Sequence, residues 1–154
     1  MDGVIADFSK RYKELYHMRP DEADKKKQFG QFFKQFINSH QFATLDMIPD
    51  AKQLLSYLNT TGVPVEILSS TARPEHYDDI GRQKQIWLDK HHINYPANFV
   101  PGKSQKYKFA DSESIIIDDT QSVIDDWRKA GGIGIHHTDA LTTIAMLGTL
   151  LGRA

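Results

Sequence analysis

The stretch Ile115-Ile-Ile-Asp118-Asp119 decides the fold, because a run of β-branched residues ends on two carboxylates. Such a run is typical of a short strand buried on both faces, as in parallel sheets covered by helices. Adjacent carboxylates at the end of a buried strand repel each other and are costly to desolvate unless a cation or a hydrogen-bond network compensates them. Mg²⁺ is the usual compensating ion, since it takes one or two carboxylates together with waters and phosphate oxygens. The alternative is that one aspartate caps the next helix and the other pairs with a basic residue.

Strand and helix signals alternate on both sides of this stretch, which predicts a parallel sheet wrapped by helices. Further strands are predicted at residues 63–68, 98–100 and 133–135. Helical spacing of apolar residues predicts helices at residues 49–58, 80–91, 122–130 and 138–151. The part of the chain that follows residue 48 is therefore predicted to have an α/β fold.

The first part of the chain differs, because residues 8–44 carry no strand signal. Aromatic side chains recur there at helical intervals, and Tyr16, Phe29, Phe33 and Phe36 are candidates to stack on a nucleobase. Aromatic residues at this spacing more often belong to a core, which is the competing interpretation. We interpret residues 9–45 as a helical insertion in one domain spanning residues 1–154, a length that suits a single domain.

Composition excludes several classes of function. Nineteen basic and twenty acidic residues leave a net charge of −1, so no overall field draws the chain to nucleic acid or to an anionic membrane. The absence of cysteine excludes disulfides, a thiol nucleophile and a thiolate zinc site. No apolar run approaches the roughly 20 residues of a membrane span. These features predict a cytoplasmic protein without a membrane or nucleic-acid partner, and they leave its oligomeric state open.

Three other polar features also lie where predicted strands end, which is where open parallel sheets bind ligands. The hydroxyls of Ser69, Ser70 and Thr71 can donate to a phosphate, although such residues also form ordinary turns. Arg73 follows this turn and can reach the same ligand. The segment 103–108 holds three lysines just ahead of the acidic strand, and one of them can neutralise a phosphate while the others stay solvated.

The opening segment Asp2-Gly-Val-Ile-Ala-Asp-Phe8 completes a set of motifs that resembles the haloacid dehalogenase (HAD) superfamily of phosphohydrolases. The similarity is greatest to its 5′(3′)-deoxyribonucleotidase-like branch of small phage and bacterial proteins. Ser69 matches the hydroxyl that ends the strand of the second motif. Lys106 matches the lysine of the third motif, with Lys103 as the alternative, and the Asp118-Asp119 pair matches the fourth. The resemblance implies a Rossmannoid three-layer α/β/α parallel sheet with a small helical cap.

The resemblance also implies a function, namely a Mg²⁺-dependent phosphatase acting on phosphomonoesters through an aspartyl-phosphate intermediate. The implied substrate is a small phosphorylated molecule, a (deoxy)nucleoside monophosphate. Asp2 and Lys106 would be catalytic, with Asp2 as the general acid and base. The implied substrate-binding residues are Ser69, Ser70 and Arg73. The implied metal ligands are Asp2, through its carbonyl, and Asp119, with Asp118 as a further candidate.

One motif departs from the family pattern. The family nucleophile is the first aspartate of Asp-x-Asp, and with Met1 in the place of x it would precede this chain. The strand that carries this aspartate lies centrally in the family's sheet, between the strands that end here at Ser69 and at Asp118. We therefore expect one of three situations: the natural polypeptide is longer, which we favour; another segment takes that place; or the protein is a catalytically silent relative. Such a relative would bind a nucleotide, a metal or a protein partner.

Overall fold

The computed structural model describes residues 1–152 and contains four short strands in that range. The strands are β1 (Ile67–Ser70), β2 (Ala97–Val100), β3 (Ile115–Asp118) and β4 (Ile133–His136). β1 pairs in parallel with β2, with Ile67 opposite Ala97, and β3 pairs in parallel with β4, with Ile115 opposite Ile133. The protein therefore has a mixed α/β fold with two parallel two-stranded sheets.

Helices make up most of the remaining regular structure. They are α1 (Phe8–Tyr16), α2 (Pro20–Lys25), α3 (Phe29–Asn38), α4 (Ala51–Thr61), α5 (Tyr77–Lys90), α6 (Gln121–Lys129) and α7 (Ala140–Leu150). Short 3₁₀ segments lie at Gln41–Ala43, Pro74–His76 and Lys103–Phe109. The four helices predicted after residue 48 are confirmed to within a few residues. No helix among the described residues is both long enough and apolar enough to cross a membrane.

The first strand begins later than the sequence predicts. The predicted span is 63–68, whereas β1 starts at Ile67 and continues through Ser69 and Ser70. Pro64 has no N–H to donate to a ladder. The first backbone bond to the neighbouring strand region is donated by Ile67 N to Pro96 O, at 2.8 Å. Ser69 and Ser70 are consequently the last two residues of the strand and do not lie in the loop after it.

Helices pack on both faces of the strands, because successive side chains of a strand point to opposite sides. On one face, Ile115 packs in a cluster that includes Leu54 of α4 and Leu147 of α7. On the other face, Ile116 packs against Trp127 of α6. This burial on both faces explains why β3 is a continuous run of isoleucine.

The helical first part of the chain has an aromatic core of its own. Tyr12 and Phe36 are fully buried. The ring of Phe8 stacks on that of Phe42 with centroids 5.5 Å apart, and Tyr16 stacks on Phe32 at 4.6 Å. These rings therefore pack against one another, which agrees with the interpretation that the periodic aromatic residues form a core.

Candidate functional site

The candidate site lies at the carboxyl ends of β1 and β3. The first residues of the chain contact side chains at both of these strand ends. Asp2 contacts a lysine that also binds the end of β1. Gly3 lies directly against Asp119, which follows β3. The opening turn thus connects the two sheets, and it brings together residues more than 100 positions apart in sequence.

The opening turn depends on Gly3. Its φ of +78° lies in the left-handed region, and the carbonyl of Met1 accepts hydrogen bonds from the N–H groups of Val4, Ile5 and Ala6. A Cβ added to Gly3 would lie 1.8 Å from Oδ2 of Asp119. Glycine is therefore required here twice, once for the backbone conformation and once for the close approach of a carboxylate.

Lys84 of α5 joins the opening turn to β1. Its Nζ donates to Oδ2 of Asp2 at 3.1 Å, to Oγ of Ser69 at 2.8 Å and to the carbonyl of Ser70 at 2.7 Å. These three bonds use all three donors of the ammonium group. Burial lowers the pKa of Lys84, and the charge of Asp2 offsets part of that effect. The side chain is only 2 % exposed and lies 5.1 Å from the ring centre of Phe42, which links the site to the helical first part of the chain.

Lys106 makes the corresponding contact at the end of β3. Its Nζ donates to Oδ2 of Asp118 at 2.7 Å, and both side chains are buried. The N–H of Thr120 donates to the other carboxylate oxygen at 2.9 Å. Burial alone would raise the pKa of Asp118, but the Lys106 ammonium and these hydrogen bonds hold it below its usual range. The neighbouring lysines Lys103 and Lys108 are exposed, so the structure places only the middle lysine of the segment in the site.

Asp119 has a different environment from its neighbour. It packs against Gly3, and within residues 1–152 no lysine or arginine forms an ion pair with it. Its Oδ1 accepts a long hydrogen bond of 3.3 Å from the Thr120 hydroxyl. Partial burial and the adjacent charge of Asp118 raise the pKa of Asp119. Of the aspartate pair, Asp119 is thus the carboxylate without a lysine or arginine partner in residues 1–152, and the amino group of Met1 offsets only part of the rise in its pKa.

The acidic residues of the site fit Mg²⁺, although no group of three or more His, Asp or Glu side chains in the described residues is arranged to hold a metal. Among residues 1–152 no lysine or arginine pairs with Asp119, so its carboxylate is available to a cation. Mg²⁺ requires only one or two protein carboxylates, because waters and substrate phosphate complete its shell. Both oxygens of Asp118 are engaged by Lys106 and Thr120, so Asp2 and Asp119 are the better candidates.

The remaining predicted residues lie at different distances from this centre. The hydroxyl of Ser70 accepts from the N–H of Ala72 at 3.0 Å, while Thr71 is buried and donates to a backbone carbonyl. The guanidinium of Arg73 is exposed and reaches Glu75 at 3.9 Å, so the structure does not bring it to the carboxylates. Backbone direction explains this, since the chain turns away after β1 through Ala72, whose φ is +66°.

Lys84 is the site residue that the motifs did not identify. It lies four residues after Ile80 and four before Leu88, on the buried face of α5. A lysine at a position where the helical period calls for an apolar side chain is the signal that could have found it.

Comparisons with known proteins give no match, whether against protein-family models, curated proteins or solved structures.

Proposed function

We propose that this chain carries the site of a Mg²⁺-dependent phosphomonoester hydrolase with an HAD-like, three-layer α/β/α fold, in which residues 9–45 form a helical cap. The observation that supports it most is the convergence of two buried lysines, a strand-end hydroxyl and three aspartates at the carboxyl ends of β1 and β3. Burying lysines and carboxylates together costs desolvation free energy. Such clusters of buried ionisable groups are typical of functional sites. Phosphoryl transfer uses this set, because positioning and charge stabilisation supply most of its rate enhancement.

Lys106 and Ser69 are the proposed phosphate-binding residues. In the described part of the chain, the ammonium group of Lys106 donates one side-chain hydrogen bond, to Asp118. Its other donors can therefore bind phosphate oxygens. Ser69 lies at the end of β1, held by Lys84. Bound Mg²⁺, held by the carboxylate of Asp119 and by the backbone carbonyl of Asp2, would supply positive charge against the phosphate and the surrounding carboxylates.

Asp2 is the proposed general acid and base. Lys84 anchors its Oδ2, while its Oδ1 is buried and has no hydrogen-bond partner, so one oxygen is fixed and the other is free to carry a proton. In the first step the nucleophilic aspartate bonds to phosphorus as the bond to the ester oxygen breaks, and the leaving oxygen takes the proton from Asp2. In the second step water gives a proton back to Asp2 and bonds to phosphorus, while the bond from phosphorus to the nucleophilic aspartate breaks and phosphate is released. The nucleophilic aspartate in this scheme is the one that the family resemblance would place directly before Met1.

The proposed substrate is a small phosphorylated molecule, a (deoxy)nucleoside monophosphate. A net charge of −1 gives no general attraction for long nucleic acids, so the phosphate has to be recognised locally. Arg73, directly after β1, stays a predicted contact to the more distant part of the substrate. The contact between Lys84 and Phe42 places the helical segment beside the site, where a cap would select the leaving group.

Phosphate release from deoxynucleoside monophosphates tests this proposal. The protein to use carries four apolar residues and an aspartate joined to Met1, and its matched control carries asparagine in place of that aspartate. We expect Mg²⁺-dependent turnover by the aspartate form, loss of turnover in the asparagine form, and loss again after Asp119→Asn. An aspartate form without turnover would support the catalytically silent alternative and would overturn the enzyme proposal.

A further inference from the structure

Two consecutive histidines at the end of β4 contact the backbone of the aspartate pair. The N–H of His137 donates to the carbonyl of Asp118 at 2.8 Å, directly after the ladder between β3 and β4. Nε2 of His136 lies 2.9 Å from the carbonyl oxygen of Asp119. Because Asp118 is the last residue of β3 that pairs with β4, the carbonyl of Asp119 lies beyond the ladder, and a side chain makes this contact.

The contact determines which nitrogen of the His136 ring carries a hydrogen. A carbonyl oxygen only accepts hydrogen bonds, so Nε2 of His136 has to be the donor. His137 has a different environment, since it is buried and its Nδ1 lies 2.7 Å from Oγ1 of Thr143. Successive side chains of a strand point to opposite faces, which explains why His136 is exposed beside the candidate site while His137 is not.

The peptide group between Asp119 and Thr120 is held at both of its ends. Its carbonyl accepts from His136, and its N–H, which belongs to Thr120, donates to Oδ1 of Asp118 at 2.9 Å. These two bonds fix the plane of the peptide that directly follows the Cα of Asp119. Because the carboxylate extends from that Cα, the fixed plane also limits the directions in which the carboxylate can point.

Gly3 limits the position of the Asp119 carboxylate from another side. A Cβ at Gly3 would lie 1.8 Å from Oδ2 of Asp119, so the carboxylate fills the space that glycine leaves. Oδ1 accepts only the long bond of 3.3 Å from the Thr120 hydroxyl, and no lysine or arginine within residues 1–152 pairs with Asp119. The position of this carboxylate therefore depends strongly on the peptide group that follows it.

We propose that His136 is a positioning residue for the cation site: by donating to the carbonyl of Asp119, it holds the Asp119 carboxylate in the direction in which it binds Mg²⁺. Groups that orient a metal ligand from behind typically change metal affinity by about 10- to 100-fold when they are lost. This inference rests on the proposed Mg²⁺ site and adds a residue of β4 to it.

The test compares the 154-residue chain with three histidine variants. His136→Gln keeps an N–H donor as many bonds from Cβ as Nε2 of histidine, whereas the amide nitrogen of His136→Asn is one bond closer to the backbone and does not reach the carbonyl of Asp119. His92→Asn is the matched control, because His92 is exposed outside the site. Its backbone has a φ of +56°, which asparagine tolerates.

Titration with Mg²⁺ alone, followed by the amide NMR signals of Gly3 and Thr120, measures the affinity. We expect His136→Asn to bind about tenfold more weakly than the natural sequence, and His136→Gln and His92→Asn to stay within about twofold of it. Without the ion, amide hydrogen exchange of Thr120 should be faster in His136→Asn only, because the other end of the same peptide group has lost its bond. The Tm should be the same in all of these proteins, since His136 is exposed.

Three outcomes would overturn the inference: an unchanged Mg²⁺ affinity in His136→Asn, an equal loss of affinity in His136→Gln and His136→Asn, or a natural chain that does not bind Mg²⁺. The phosphatase assay is decided separately. An unchanged affinity in His136→Asn leaves the hydrolase proposal intact, and an absence of turnover leaves a measured effect of His136 on Mg²⁺ affinity intact.

Discussion

The regions around Lys84 and Lys106 differ in how many hydrogen-bond donors of each buried lysine are bound by the protein. Lys84 donates to three oxygens of the protein, including the carbonyl of Ser70, so it has no donor left for a ligand. Lys106 donates to Asp118 and keeps donors available within the described part of the chain. We infer that Lys84 is a positioning residue that holds Asp2 and β1 together, and that Lys106 is the lysine that binds phosphate.

The largest predicted effect is on catalysis, at Lys106. In the extended protein that carries the nucleophile, Lys106→Met should lower kcat/KM for a deoxynucleoside monophosphate by about 10²- to 10³-fold, which is the typical effect of removing one donor to developing charge. Lys108→Met, two residues away on an exposed side chain, is the matched control and should leave kcat/KM unchanged. Equal losses in the two variants would remove Lys106 from the proposed phosphate site.

The next effect is on stability, at Lys84. Lys84→Met leaves Asp2 and the Ser70 carbonyl without their donor, and we expect a loss of about 3 kcal/mol in the free energy of unfolding, measured in urea. Lys90→Met, on an exposed position of the same helix, should change it by less than about 0.5 kcal/mol. The double variant Asp2→Asn with Lys84→Met should recover part of the loss, because the uncompensated carboxylate is gone. A loss in Lys84→Met no larger than in Lys90→Met would contradict the positioning role.

A smaller effect on stability is expected at Gly3. Gly3→Ala should cost about 2–3 kcal/mol, because the left-handed backbone disfavours a Cβ and the Asp119 carboxylate occupies its space. Gly62 is the matched control, since its φ is +71° and nothing lies within 4 Å of an added Cβ. Gly62→Ala should therefore cost only the backbone part, about 1 kcal/mol. Equal costs, measured by urea unfolding, would show that Asp119 does not press on the opening turn.

The smallest predicted effect is a pH dependence from His137. Burial lowers the pKa of His137 below 6.5, and the charges of Asp50, Asp119 and Asp139 offset part of that effect. An unfolded chain then binds a proton more readily than the folded one, so the stabilisation is full above pH 6.5 and declines as the pH falls below it. The urea midpoint should fall less between pH 7.5 and 5.5 in His137→Asn than in the natural sequence. An equal fall of the urea midpoint in the two proteins would show that His137 is not the source of this pH dependence.

Much of the second part of the fold could be predicted from local pattern, because the isoleucine run of β3 and the helical spacing of α5 determine their own structure. The positions of Ser69, Lys106 and the two aspartates near strand ends could be predicted, because Ser69 and Asp118 lie in the last residues of strands, Asp119 directly follows β3 and Lys106 precedes it. The late start of β1 could not, since it depends on where its partner strand begins at Pro96.

The lysine of α5 shows the limit of local pattern. Lys84 bonds to Asp2, 82 residues earlier, and no local signal specifies a partner at that distance. Arg73 shows the opposite case, since its sequence position next to the serine turn suggested a place beside the carboxylates, whereas its guanidinium is exposed and reaches Glu75 after the backbone turn at Ala72. Long-range pairing and chain direction, and not residue type, account for both differences.

We propose that the carboxyl ends of β1 and β3 form one site for phosphate and Mg²⁺, and calorimetric titration of inorganic phosphate measures whether they do. We predict that the control protein defined above, which carries four apolar residues and asparagine joined to Met1, binds phosphate in the presence of Mg²⁺. We expect binding to be at least roughly tenfold weaker without Mg²⁺, in Asp119→Asn and in Lys106→Met, and unchanged in Lys108→Met. Phosphate binding of the same strength in all these proteins, or in none of them, would show that the two strand ends do not form such a site.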